Sequence, residues 1–395
     1  MSCSIPEPGP DITVEPVASW APRTERSQPP TFAELTTLRV GGEIANYVEV
    51  DSTEAMIEAV READEQGREL LVLGGGSNLV ARDERFEGVV VRDTRQHIEL
   101  ESEDGCGGAA LRVSAGQPWD AFVAHTIENA WMGVEALSGI PGTVGAAPVQ
   151  NVGAYGQEVS GTISAVRVYD RLERERRLLT LAELGFGYRT SLLKRSLSDA
   201  EAGGGRTWGP TGRYVVLEVS FQMRNASLSE PIRYAELART LGVELNDRAP
   251  AIDVRQAVLQ LRRSKGMVLD AGDHDTYSAG SFFTNPVIAA EHADRLPEGA
   301  PRFAVTDPTK VRSIGQQPPV VEGLVKTSAA WLINHAGFDK GFGLPGPAAL
   351  STKHALAITN RGGASGADVR ELARQVREGV QEAFGIELVP EPILL

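Results

Sequence analysis

The chain has 395 residues, with 39 Lys and Arg against 53 Asp and Glu, for a formal net charge of −14. That length predicts two or three domains with a sizeable core. The acidic balance argues against sequence-independent nucleic-acid binding, which needs a basic surface to displace counterions. Two cysteines, Cys3 and Cys106, are too few for a disulfide framework or a thiolate metal site. The six histidines form no close cluster, so zinc chemistry is not expected. No apolar run reaches the roughly 18 residues of a membrane span, and the first residues lack the basic and apolar regions of a signal peptide. The expectation is a cytoplasmic protein without membrane insertion. Glycine is abundant, at 42 residues.

Residues 1–30 hold seven of the 23 prolines and little apolar periodicity, which predicts a disordered arm, with order beginning near Leu38. A strand over 44–50 follows. A helix over 53–66 is expected next, with Thr53 as its cap, Met56, Ile57 and Val60 on one face, and Gly67 as its stop. Residues 69–73 read as a short buried strand running into Gly74, Gly75, Gly76, Ser77 and Asn78. Strands follow at 88–91 and 109–115, then a helix over 119–130 with Phe122, Val123 and Ile127 inward. Strands resume at 162–169 and 214–223, with an exposed polar loop over 202–212 between them. Helices are predicted over 252–263, 325–335 and 367–384, and strands over 354–359 and 386–389. The pattern is mixed α and β in several pieces, with no solenoid repeat.

Two glycine-rich stretches carry the chemistry. The first lacks the third glycine and the following helix of a dinucleotide fingerprint, and it lacks the Gly-Lys-Ser/Thr of a phosphate-binding loop. Three consecutive glycines can still turn several N–H groups to one side, a nest for pyrophosphate. A tight turn without a ligand is the alternative. In the second stretch Gly139, Gly142 and Gly145 are spaced by three, Gly153 and Gly156 repeat the spacing, and Gln150 and Asn151 sit between. Such a run suits close approach of backbone to a large ligand. Close packing between two subdomains would also account for it.

Six ordered motifs then carry a resemblance: Gly74 to Asn78, Ile140-Pro141-Gly142 to Gly145, Gln150 to Gly156, Gly187-Tyr188-Arg189, Gly280-Ser281-Phe-Phe to Pro286, and Pro390-Glu391. In that order the chain resembles the UDP-N-acetylenolpyruvoylglucosamine reductases from about Leu38 to Leu395. The resemblance implies an α+β chain: a two-subdomain FAD-binding fold of the vanillyl-alcohol-oxidase (PCMH) type with a following α+β substrate-binding domain. It implies FAD-binding subdomains over about 31–95 and 96–225, a substrate-binding domain over 226–385, and a segment over 386–395 returning to the active site. Tightly bound, non-covalent FAD, NADPH as co-substrate and a UDP-sugar substrate follow, with a monomer expected.

The resemblance also implies residue roles. Arg189 matches the catalytic arginine, Ser281 the serine proton donor and Glu391 the third catalytic residue. A guanidinium suits an enolate conjugated to a carboxylate, and a neutral hydroxyl suits protonation on one face. The flavin would be held by Gly74, Gly75, Gly76, Ser77, Asn78, Gly139, Ile140, Pro141, Gly142, Gly145, Gln150, Asn151, Gly153, Ala154 and Tyr155. Tyr188, Tyr234, Lys265, Asn285 and Lys326 resemble substrate-side residues. Two rivals are another oxidoreductase of the same fold, acting on a sugar lactone or alcohol, and a non-catalytic nucleotide-sensing module.

Overall fold

The strand Tyr214–Asn225 is the spine of one sheet. It pairs antiparallel with Ile163–Asp170 on one side and Gly108–Ser114 on the other. Glu175–Thr180 and Ile98–Asp104 complete the outer positions, again antiparallel. One face packs on the helix Trp119–Glu128 through Phe122, Val123 and Phe221. In a smaller sheet Leu70–Val72 pairs parallel with Phe86–Asp93, which is also flanked by Ile44–Val50. The helix Thr53–Glu65 covers it with Met56, Val60 and Ala63. Its cap is Ser52, whose hydroxyl accepts from Ala55 N–H, so Thr53 is the first helical residue rather than the cap.

The computed structural model describes residues 13–17, 28–307 and 319–395. Contacts divide the described residues into two units, one holding 13–17, 44–76 and 87–269, the other 28–43, 77–86, 270–307 and 319–395. The helices that follow residue 225 therefore pack with the first unit, which runs to 269. The reason is packing: Leu237, Ala238, Val254, Ala257 and Val258, from the helices Ala235–Leu241 and Ala251–Ser264, form one cluster with Ala136 of the first unit. Residues 31–43 and 77–86 pack with the second unit.

The second unit is built on the helix Gly366–Phe384. Ser365 and Asp368 form its capping box, Gly385 ends it at φ +67°, and Val369, Leu372, Val376 and Val380 are buried as their spacing predicts. They pack with Phe282, Phe283, Leu332 and Ile333. A three-stranded sheet joins Val287–Ala289, Val320–Lys326 and Phe303–Thr306. The carboxyl-terminal strand Ile393–Leu394 pairs parallel with Leu79–Val80.

Four local expectations change. The helix expected over 325–335 begins at Ala329; Val325 and Lys326 belong to the preceding strand. Residues 386–389 form no strand, although Ile386 and Leu388 are buried. The loop over 202–212 is exposed only in part. Trp208 is buried, its indole N–H donates to Gly203 O at 2.8 Å, and the guanidinium of Arg206 lies 3.5 Å from its ring centroid. The arm expected to be disordered falls mostly outside the described residues, but Val14 is buried in the first unit's core, and a helix forms already at Phe32–Leu35.

Candidate active site

The two glycine stretches of the first unit interlock. A Cβ on Gly75 would lie 2.5 Å from Gly142 Cα, and one on Gly145 the same distance from Ala115 Cβ. Those two glycines therefore serve the packing of backbone on backbone. Gly76, Gly139 and Gly142 are buried and adopt φ of +62°, +72° and +128°, so the chain reverses its peptide groups at three places without the strain a side chain would bring. Ile140 and Pro141 lie half-buried between them.

Further along, Gly153–Ala154 and Gln157–Glu158 form a hairpin whose two-residue turn is Tyr155-Gly156, with φ of +49° and +84°. Two positive φ values define the tight turn that prefers Asn and Gly, so Tyr155 is an unusual occupant. A second tight turn holds Tyr188 and Arg189 between reciprocal backbone hydrogen bonds of Gly187 and Thr190. Arg189 sits at φ +52°, where glycine or asparagine is usual. Such strain persists only where neighbours over-determine it. Here they do. Arg189 Nη2 donates to Gly153 O at 2.9 Å, while the buried Asn151 donates to Gly187 O at 3.1 Å and to Glu158 at 2.8 Å. Asn151 thereby ties the two turns together. Gln150 accepts from Lys194 Nζ at 3.1 Å.

On the same unit Tyr155 and Tyr234 meet edge to face, with centroids 5.5 Å apart. Lys265 Nζ lies 5.7 Å from the Tyr155 centroid and pairs with Glu236 at 2.6 Å. Burial, the largest single influence, disfavours the charged form of Lys265, but the Glu236 hydrogen bond together with electrostatic attraction to Tyr155, Glu236 and Tyr234 holds the ammonium above the ordinary lysine value. Burial pushes the Tyr155 hydroxyl up. Tyr188 and Tyr234 are exposed, at 39% and 42%.

The second unit gathers three distant motifs by backbone pairing. Gly280 turns at φ +77°, and Phe282 and Phe283 anchor the next residues in the core. Glu391 N–H donates to Phe282 O at 2.8 Å, and Thr284 N–H to Val389 O at 3.1 Å. Ser281 and Glu391 therefore lie on adjacent extended segments, both half-buried. Asn78 closes the arrangement: its amide donates to Glu391 O at 3.3 Å, and its carbonyl accepts from Ile393 N–H at 3.0 Å. Asn285 and Lys326 form a separate neighbouring group. Asn285 Oδ1 accepts from Ala329 N–H at 3.0 Å, and Lys326 stands opposite Val287.

Comparison with known proteins places this arrangement. An FAD binding domain model matches residues 14–172, and the UDP-N-acetylenolpyruvoylglucosamine reductase C-terminal domain model matches 273–395. A UDP-N-acetylenolpyruvoylglucosamine reductase of Thermobifida fusca is 50% identical over 92% of this chain and 96% of its own length. One from Cutibacterium acnes is 48% identical over 92% and 89%. This chain belongs to the UDP-N-acetylenolpyruvoylglucosamine reductase family. The crystal structure of the Thermus caldophilus reductase matches its fold with a TM-score of 0.58 and 24% identity, over 94% of this chain and 98% of the other.

The chain is accordingly an FAD-dependent oxidoreductase with the expected α+β, vanillyl-alcohol-oxidase-type fold. The residues fit the flavin. Both glycine stretches through Gly156 lie within the matched FAD binding domain, and their left-handed turns suit a phosphate-bearing ligand approached by backbone. Among the described residues no group of His, Cys, Asp or Glu could hold a metal, and no helix is long and apolar enough to cross a membrane. Residue spacing did not reveal Glu158, Glu236, Asp120 or Arg255, whose contacts depend on the folded backbone.

Proposed function

We propose that this chain reduces UDP-N-acetylglucosamine enolpyruvate to UDP-N-acetylmuramate with NADPH, supplying a peptidoglycan precursor. Bound FAD would carry the reducing equivalent from NADPH to the vinyl CH2 carbon of the enolpyruvyl ether. The residues at 74–78 and 139–155 hold the flavin in this reading. What remains for the protein is the negative charge that develops on the carbon bearing the ether, and its protonation.

Arg189 supplies the cation. Its guanidinium stays charged at any working pH, and its fork matches a carboxylate conjugated to an enolate. The hydrogen bond to Gly153 O and the strained turn limit the positions that guanidinium can take. Ser281 gives the proton to the ether-bearing carbon, completing the lactyl group. A serine hydroxyl is a weak acid, so it works where water is excluded; the next two residues, Phe282 and Phe283, are buried in the core. Glu391, fixed beside it by the backbone pairing, polarises the substrate or aids proton delivery. Tyr188, Tyr234, Lys265, Asn285 and Lys326 hold the UDP sugar. Lys265 meets its diphosphate by exchanging Glu236 for phosphate oxygens.

The observation that carries this reading is the pairing of Glu391 N–H with Phe282 O, which sets Ser281 beside Glu391 although 109 residues separate them. In this reading the enzyme acts as a monomer in the cytoplasm. The test is spectroscopic. NADPH without oxygen should bleach the flavin, and the UDP-enolpyruvyl sugar should restore its colour. Restoration by oxygen alone, with no effect of the sugar, would favour an oxidase.

A further inference from the structure

Asp120 lies at the first turn of the helix Trp119–Glu128, fully buried, and gathers three distant parts of the first unit. Its Oδ1 accepts from Gly139 N–H at 2.6 Å and from Arg255 Nη1 at 2.8 Å. Its Oδ2 accepts from Arg255 Nη2 at 2.8 Å and from Val17 N–H at 2.7 Å. Arg255, itself 2% exposed, donates a further bond to Glu15 O at 2.9 Å. At the other end of the same helix Glu128 accepts from Val14 N–H at 2.7 Å, and the Val14 side chain is buried in the core. Residues 13–17 thus run along the helix from its last turn to its first, held at both ends.

This shell has a functional neighbour. Gly139 opens the second glycine stretch in a left-handed conformation, and a Cβ there would meet Leu259 at 2.6 Å. The loop therefore leaves its starting point in one direction, set by the Asp120 carboxylate. A buried carboxylate holds position when all its partners are in place. Losing one leaves part of a buried charge uncompensated, and the rest of the cluster shifts to find solvent or a new donor.

We propose that Asp120 is a positioning residue for the flavin-holding loop, and that residues 13–17 form a strap completing its shell, so that the amino-terminal segment sets FAD affinity. The proposal rests on the reading of 139–145 as part of the flavin site. It gives a structural use to a segment whose composition alone predicts disorder.

The test is the FAD dissociation constant of the full-length protein, followed by flavin fluorescence after resolution into apoprotein and cofactor. Val17→Pro removes one N–H donor to Asp120 and leaves every side chain of the cluster. It should weaken FAD binding roughly tenfold, the low end of the scale of one lost hydrogen bond to a charged group. The visible circular dichroism of the bound flavin should change with it, while the KM for the UDP sugar at saturating FAD stays put. Arg255→Lys keeps the charge but loses the fork; it should weaken FAD binding by a similar or larger factor, and it serves if Val17→Pro does not fold. A folded Val17→Pro or Arg255→Lys protein with parental FAD affinity and an unchanged flavin spectrum would overturn the proposal. A parent that fails to bind FAD would overturn the underlying flavin reading as well.

Discussion

The two units fix their proposed functional residues by different means. In the first, Tyr155 and Arg189 stand at the tips of two tight turns, in left-handed backbone normally left to glycine or asparagine, and Asn151 and Gly153 pin them. In the second, Ser281 and Glu391 lie on extended segments held by ordinary backbone pairing and by two buried phenylalanines. A turn tip presents a long side chain with its direction fixed and its surroundings open. Paired segments bring two short groups side by side. The first arrangement suits a cation that must reach a ligand, and the second suits a donor with an accurately placed neighbour.

Substitutions should separate the two designs. Arg189→Lys keeps the charge and loses the fork; turnover should fall about 10²–10³-fold, the scale of losing an oriented electrostatic stabiliser, with FAD content unchanged. Retention of more than a tenth of parental turnover would remove Arg189 from the chemistry. Gly75→Ala tests the interlocked loops instead. The new Cβ meets backbone that cannot easily yield, so thermal unfolding should register a loss of about 1–3 kcal/mol and the flavin should be released more readily. Gly161→Ala, with nothing within 4 Å of the added Cβ, is the matched control, expected within about 0.5 kcal/mol of the parent.

Acid should act on both units. Asp170 in the first is buried, which alone would raise its pKa, yet bonds from Arg213 and Arg177 and from two backbone N–H groups hold it below the ordinary 3.8. Asp275 in the second is likewise held low against burial, by Thr352 and Arg361. A folded-state value below the unfolded one gives stabilisation that is complete above the unfolded value and is lost as the pH falls through the folded one. Melting temperature should therefore drop below about pH 4, and Asp275→Asn should lower the neutral-pH melting temperature while flattening part of that acid limb. An acid limb unchanged in Asp275→Asn would show that the carboxylate is not held low. The smallest effect is expected at Glu236→Gln, which frees Lys265 from its internal anion. The KM for the UDP sugar should fall about two- to fivefold at low salt, with kcat little changed. A raised KM would mean that Glu236 orients Lys265 rather than competing for it.

Much of this was legible in the residues. The helix Gly366–Phe384 announced its span and buried face, and the glycine stretches announced unusual backbone. The strand Ile98–Asp104 was not legible, because its acidic residues face solvent at a sheet edge and hide the alternation. The helix start at Ala329 was misplaced because Val325 continues the apolar pattern of a strand directly into it. At the site, the six motifs were visible because each is local. Asp120 and Arg255 were not, since their bond joins positions 135 residues apart. The same holds for residues 13–17, whose prolines suggest disorder while Val14 and two backbone N–H groups hold them in place.

In the proposed reaction Ser281 delivers the proton after the substrate has been reduced at its vinyl carbon. The most direct measurement is stopped-flow absorbance of the two half-reactions in Ser281→Ala. Flavin reduction by NADPH should proceed within about twofold of the parent, while reoxidation by the UDP-enolpyruvyl sugar should slow by roughly 10²–10⁴. Equal slowing of both half-reactions, or parental reoxidation, would contradict it.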